Sequence, residues 1–229
     1  RWIHPEQGMI PPFRFIPLAE EMGLIGEMGD WVIREACNQV KRFAAQDVRL
    51  PKVAVNVSAL QFTGSFTRRV KAILEETQVD PSALELELTE GVVMGDTSAS
   101  VQALSELKEM GVSLSIDDFG TGYSSLSYLS RFPLDELKID RSFVIEANNS
   151  EQGASLVRAI IAMARGLGLK LVAEGVETDE QYRFMTDEGA HVIQGYMFSK
   201  PVPADELAPM LAPWHFQNQI KGLEARIRG

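Results

Sequence analysis

Asp117 and Asp118 stand side by side after the apolar run Val112–Ile116. Adjacent carboxylates at the end of an apolar strand repel each other unless something offsets their charge. A divalent cation does so, and hard cations such as Mg²⁺ prefer carboxylate oxygens. The plainer use of such a pair is a turn or a helix cap. Glu85 and Glu87 alternate with Leu84, Leu86 and Leu88, so strand geometry puts the glutamates on one face and the leucines on the other. In a barrel the leucines would pack against helices and the glutamates would turn inward, where charge needs a partner. On an edge strand the glutamates would face water. Asn56 interrupts the apolar run Val53–Val57, and a buried amide must be hydrogen-bonded or ligated. Lys138, in Leu137-Lys138-Ile139-Asp140, could hold a water, stabilise phosphoryl charge, or pair with an aspartate. Glu174 and Glu177 follow another apolar run, and Gln194 ends the last one. One amide, several carboxylates and one lysine form the inventory of a two-metal phosphoryl-transfer site.

Those residues share a position. Strands are expected at Val53–Val57, Leu84–Leu88, Val112–Ile116, Glu136–Ile139, Leu169–Ala173 and His191–Gln194. Asn56, Glu87, Asp117-Asp118, Lys138, Glu174 and Gln194 fall at or just past their C-terminal ends. Helical patterns at Ser65–Glu76, Ser98–Met110, Gly153–Gly166 and Asp179–Glu188 alternate with the strands, which argues parallel βαβ units. Two more, Phe15–Met22 and Asp30–Ala44, precede the first strand, with Asp30 and Asp179 as candidate N-caps. A (β/α)8 barrel builds its site from the ends of several different strands. A doubly wound sheet uses mainly one switch point. Functional ends on six successive strands favour the barrel. The count is two strands short of closure, so the first two strands are expected to be absent from the chain. Residues 1–213 read as one domain and 214–229 as a helical tail.

Composition sets the outer limits. The 229 residues carry a net charge of −10, which disfavours a nucleic-acid polymer as partner. No run of eighteen apolar residues offers a membrane span. Arg1–Pro5 has no signal-peptide core. A single cysteine, Cys37, excludes an internal disulfide and fits a reducing, cytoplasmic setting. His4, His191 and His215 lie far apart and read as structural or surface residues.

The chain resembles the EAL-domain cyclic di-GMP phosphodiesterases over nearly its whole length. The matching segments include Arg1-Trp2, Asn56-Val57-Ser58, Glu87-Leu88-Thr89-Glu90, Asp117–Leu126, Leu137–Asp140, Ala173–Glu177 and Gln194-Gly195-Tyr196. The resemblance implies hydrolysis of cyclic di-GMP to linear pGpG with two Mg²⁺ or Mn²⁺ ions. It implies Asn56, Glu87, Asp117, Asp118 and Glu174 as metal ligands, with Asp118 and Glu174 also serving catalysis. Lys138 would hold the attacking water, while Arg1 and Gln194 would contact substrate. Glu90, Phe119, Gly120, Thr121, Gly122 and Glu177 would anchor or regulate the loop after Asp118. It further implies a homodimer, an upstream sensory or GGDEF domain, and a further metal-binding glutamate before Arg1. A sensor that binds cyclic di-GMP without cutting it is the alternative.

Overall fold

The computed structural model describes residues 2–48, 50–93, 97–120, 129–211 and 220–222, and of Glu90, Val93 and Thr97 the backbone alone. Arg1, Thr121, Gly122 and His215 lie outside the described residues, as does the side chain of Glu90. Of the expected tail, only residues 220–222 are described, and they are helical.

A short antiparallel hairpin, β1 (Trp2–His4) and β2 (Gly8–Ile10), opens the chain. It leads into α1 (Pro12–Glu21) and α2 (Ile25–Ala44). A βα series follows. It comprises β3 (Val53–Val57), α3 (Phe66–Thr77), β4 (Leu84–Thr89), α4 (Glu90–Val93), α5 (Thr97–Glu109), β5 (Ser113–Phe119) and β6 (Glu136–Ile139). It continues with α6 (Arg141–Asn149), α7 (Glu151–Gly166), β7 (Lys170–Ala173), α8 (Asp179–Glu188), β8 (Val192–Ile193) and α9 (Ala204–Met210).

Strands β3 to β8 form one parallel sheet in sequential order. A doubly wound sheet would reverse that order at a switch point. Sequential winding is barrel topology, as the strand ends predicted, here over six strands. The LELEL run explains the layering. Leu84, Leu86 and Leu88 are fully buried beneath helical residues such as Ile73 and Leu104. Burying each such side chain contributes about 1.5–3 kcal/mol. The opposite face of β4 holds Glu85 and Glu87, both buried. Strand β4 lies between β3 and β5, so the solvated-edge reading of these glutamates is excluded.

Side chains at helix starts refine the expected caps. Thr178, not Asp179, caps α8 in a reciprocal box with Gln181. Asp30 lies inside α2, whose N-cap is Leu24, and instead pairs with Arg69 at 3.0 Å. Asp140 caps α6 by accepting from the Ser142 amide at 2.9 Å. That helix and the opening hairpin lie beyond the elements expected from periodicity.

Candidate active site

Parallel register brings the polar strand ends together. Asn56 on β3 stands opposite Glu87 on β4, and its Nδ2 donates to Glu87 Oε2 at 2.9 Å. β3 pairs with β4 alone among the described residues, which leaves Asn56 exposed there, and its amide is hydrogen-bonded as expected. Lys138 is 4% exposed. Its ammonium lies 2.7 Å from Glu87, 3.2 Å from Asp117 and 2.6 Å from Glu174. An ammonium has three N–H donors, and three carboxylates take them. The lone lysine–aspartate pair weighed at the sequence level is therefore one arm of a larger cluster.

A β-bulge explains how Asp117 and Asp118 share this site. Ile116 pairs with Leu137 and Phe119 with Ile139, so both aspartates oppose the single residue Lys138. Successive residues of a regular strand point to opposite faces. The extra residue breaks that rule and re-aims a side chain. Asp118 takes a left-handed φ of +53°, a conformation that Asp tolerates better than most residues. Its amide donates to Asp117 Oδ1 at 3.1 Å. Carboxylate oxygens of Asp117, Asp118 and Glu174 all lie within 4.8 Å of one another.

The electrostatics favour a cation. Lys138 meets three carboxylates, Glu87, Asp117 and Glu174, and a carboxylate oxygen of Asp118 lies within 4.8 Å of those of Asp117 and Glu174. Burial pushes the Glu87 carboxyl up despite Lys138, and it pushes Glu174 up in the same way. Burial alone would lower the Lys138 ammonium, but Glu87 and Glu174 outweigh it and hold its pKa above the usual lysine range. The donor set, carboxylate oxygens with one amide, suits a hard divalent cation rather than a soft metal.

The remaining expected residues surround this centre. Gln194 lines a cleft of about 850 Å³ with Glu174, Gly175, Glu177, Arg141 and Tyr196. Glu177 accepts from Arg141 at 3.0 Å. Phe119 is buried, and a Cβ at Gly120 would sit 2.9 Å from Phe143 Cζ, so the start of the loop is pressed onto α6. His191 accepts from the Leu171 amide at 3.1 Å, the structural role expected of it. Sequence reasoning passed over Arg141, whose sequence position just after Asp140 was the available signal. It also passed over Lys52, which pairs with Glu85 and, at 2.6 Å, with Glu136 at the opposite ends of the strands.

Comparison with known proteins fits this geometry. The family model described as the EAL domain matches residues 1–201. The chain is 46% identical over 213 residues to the bifunctional diguanylate cyclase/cyclic di-GMP phosphodiesterase MucR of Pseudomonas aeruginosa, covering 93% of this chain and 31% of that protein. It is 41% identical over 206 residues to the cyclic di-GMP phosphodiesterase PdeR of Escherichia coli, covering 89% and 31%. A solved structure described as the PaMucR phosphodiesterase, c-di-GMP complex, superposes with a TM-score of 0.86 at 47% identity, covering 90% of this chain and 84% of that one. The chain spans about a third of the length of these curated relatives. Among the described residues no helix is long and apolar enough to cross a membrane.

Proposed function

The chain belongs to the EAL domain family, and from that premise we propose that it is a metal-dependent phosphodiesterase that hydrolyses cyclic di-GMP to linear pGpG. The observation that carries this reading is the cluster around Lys138: an amide and four carboxylates at the C-terminal ends of consecutive parallel strands. MucR and PdeR, named as cyclic di-GMP phosphodiesterases, support the choice of substrate.

Asn56, Glu87, Asp117, Asp118 and Glu174 would hold two Mg²⁺ or Mn²⁺ ions. When bound, such ions activate water and neutralise charge developing on the phosphoryl oxygens. The protein's own groups do the rest. Glu87 and Glu174 are kept in place by Lys138, which spreads one positive charge over three carboxylates. Lys138 would hold the attacking water or stabilise developing oxyanion charge. Asn56 fixes the orientation of Glu87. Gln194 and the cleft beside Glu174 receive the dinucleotide, with Arg1 a further phosphate contact. Glu90, Phe119, Gly120, Thr121, Gly122 and Glu177 would anchor or regulate the loop after Asp118, in a homodimer. The setting is cytoplasmic, within a larger protein carrying an upstream sensory or GGDEF domain.

The test is incubation of the intact protein with cyclic di-GMP and Mg²⁺ or Mn²⁺, with nucleotides separated by chromatography. Metal-dependent appearance of pGpG is expected. Tight binding of cyclic di-GMP with no pGpG under either metal would overturn the reading in favour of a sensor.

A further inference from the structure

The turn that carries Glu174 is gripped from both sides. On the β8 side, the backbone amide of Val176 donates to the Gln194 carbonyl at 3.0 Å, and the Met197 amide donates to the Val176 carbonyl at 3.1 Å. Gly195 lies so close that a Cβ there would overlap the Val176 backbone, 2.7 Å from its carbonyl carbon. On the β6 side stands Arg141. Its aliphatic stem lies across Gly175, where a Cβ would fall 2.5 Å from Arg141 Cδ and 2.6 Å from its Cβ. Its guanidinium then reaches past the turn to Glu177 at 3.0 Å. Gly175 has φ +64°, so both its conformation and its missing side chain are needed for this approach. Arg141 itself is held at the first position of α6, directly after the Asp140 cap.

The two halves of the Arg141 contact differ in weight. The ion pair is surface-exposed, at 54% and 37% side-chain exposure, and pairs of that kind add little stability. The stem packs against the Gly175 backbone next to Glu174, and long cationic side chains commonly act through such packing. The natural effect of losing it is a looser Glu174, not an unfolded domain.

We propose that Arg141 is a positioning residue: it clamps the Glu174-Gly175-Val176-Glu177 turn so that the Glu174 carboxylate is fixed against Lys138 and Asp117. The metal arm of this inference rests on the phosphodiesterase reading above. Arg141 acts through Glu174; it also borders the cleft of Gln194 and Tyr196, so the test separates the clamp from a substrate contact. Partners that orient metal ligands are worth about 10–100-fold in metal affinity.

The experiment compares wild-type protein with Arg141→Ala, Arg141→Lys and Glu177→Gln. Amide hydrogen exchange is measured at Glu174 and Val176, whose N–H groups donate to Ile139 and Gln194. Mn²⁺ affinity is measured by calorimetry, and hydrolysis is split into kcat and KM. Arg141→Ala is expected to speed exchange at the turn alone. It should weaken Mn²⁺ by about 10–100-fold and lower kcat with KM unchanged. Arg141→Lys, which keeps the stem and the charge, should recover most of each. Wild-type exchange and Mn²⁺ affinity in Arg141→Ala overturn the clamp. A raised KM with unchanged kcat also overturns it, because that marks a direct substrate contact. Should wild-type protein bind no Mn²⁺, the phosphodiesterase reading fails, while the exchange measurement still decides the clamp. Should Arg141→Ala not fold, the positioning role is overturned in favour of a structural one.

Discussion

Glu85 and Glu87 are two residues apart on β4 and face the same barrel interior, yet different lysines neutralise them. Lys52 takes Glu85, and Lys138 takes Glu87. The interior is thus divided into a lower ionic layer, Lys52 with Glu85 and Glu136, and an upper layer around Lys138. Stability and chemistry should divide along the same line.

Lys52→Met should therefore destabilise without changing the chemistry. It leaves Glu85 and Glu136 buried and unpaired, and removal of one partner from a buried ion pair costs about 3–5 kcal/mol. The upper part of that range is reduced here because Lys52 is partly exposed. A lower midpoint in urea, with kcat of the surviving folded protein unchanged, is the expected result.

Lys138→Met should do the reverse of what a simple stability role predicts. It should abolish turnover of cyclic di-GMP by roughly 100-fold or more, the order seen when one preorganised charge-stabilising donor is removed. Steady-state hydrolysis at saturating Mg²⁺ measures this. Retention of wild-type kcat would confine Lys138 to a counter-ion role.

Removing metal should lower the melting temperature, because the carboxylates of Asp117, Asp118 and Glu174 crowd together in the upper layer. A ligand that binds only the folded state stabilises by about 2.7 kcal/mol at one hundred times its dissociation constant. Thermal melts in EDTA and in excess Mg²⁺ should differ accordingly. Asp117→Asn should shrink the difference, since it removes one of the clustered carboxylates.

Ser115→Ala should leave stability unchanged or raise it. Ser115 is fully buried between the two ionic layers, and its hydroxyl has no hydrogen-bond partner among the described residues. An unsatisfied buried hydroxyl costs about 1–3 kcal/mol. Chemical denaturation measures the change. A clear loss of stability would mean that a bound water satisfies the hydroxyl.

Cys37 should resist alkylation in the native state. It is fully buried in α2, and burial pushes its thiol pKa up, only partly opposed by a hydrogen bond with Thr77. A folded-state pKa above the unfolded one stabilises the protein below the unfolded thiol pKa. That contribution is lost as pH rises through the folded value. Labelling by a thiol reagent should therefore track unfolding at neutral pH, and stability should fall at strongly alkaline pH.

The sequence made the fold legible where chemistry and periodicity agreed. The leucine–glutamate alternation of β4 gave both the strand and the direction of its faces, because only one face could tolerate burial without partners. Asn56 was harder, since its partner Glu87 lies 31 residues away on the neighbouring strand, which one strand's sequence does not encode. Asp30 looked like a cap because capping residues and mid-helix ion-pair partners are of the same type. Only the position of Arg69, 39 residues later, separates them. Strand α-helix boundaries near Asp140 were obscured for a similar reason: an aspartate after a strand reads equally as a ligand or as a helix cap. The clustering of Asp117 and Asp118 was anticipated, but the bulge that achieves it was not, because a register shift depends on the neighbouring strand.

That bulge also resets the phase of β5. Ser115 and Asp117 face the interior, and uninterrupted alternation would send Phe119 there too. The extra residue turns it outward instead, into the hydrophobic core beside Ile139. Deleting one of the two aspartates would therefore remove the bulge and restore one-to-one pairing with Leu137, Lys138 and Ile139. The phenyl ring would stay outward opposite Ile139, so the ladder carries the second aspartate as an insertion that leaves the outer shell undisturbed.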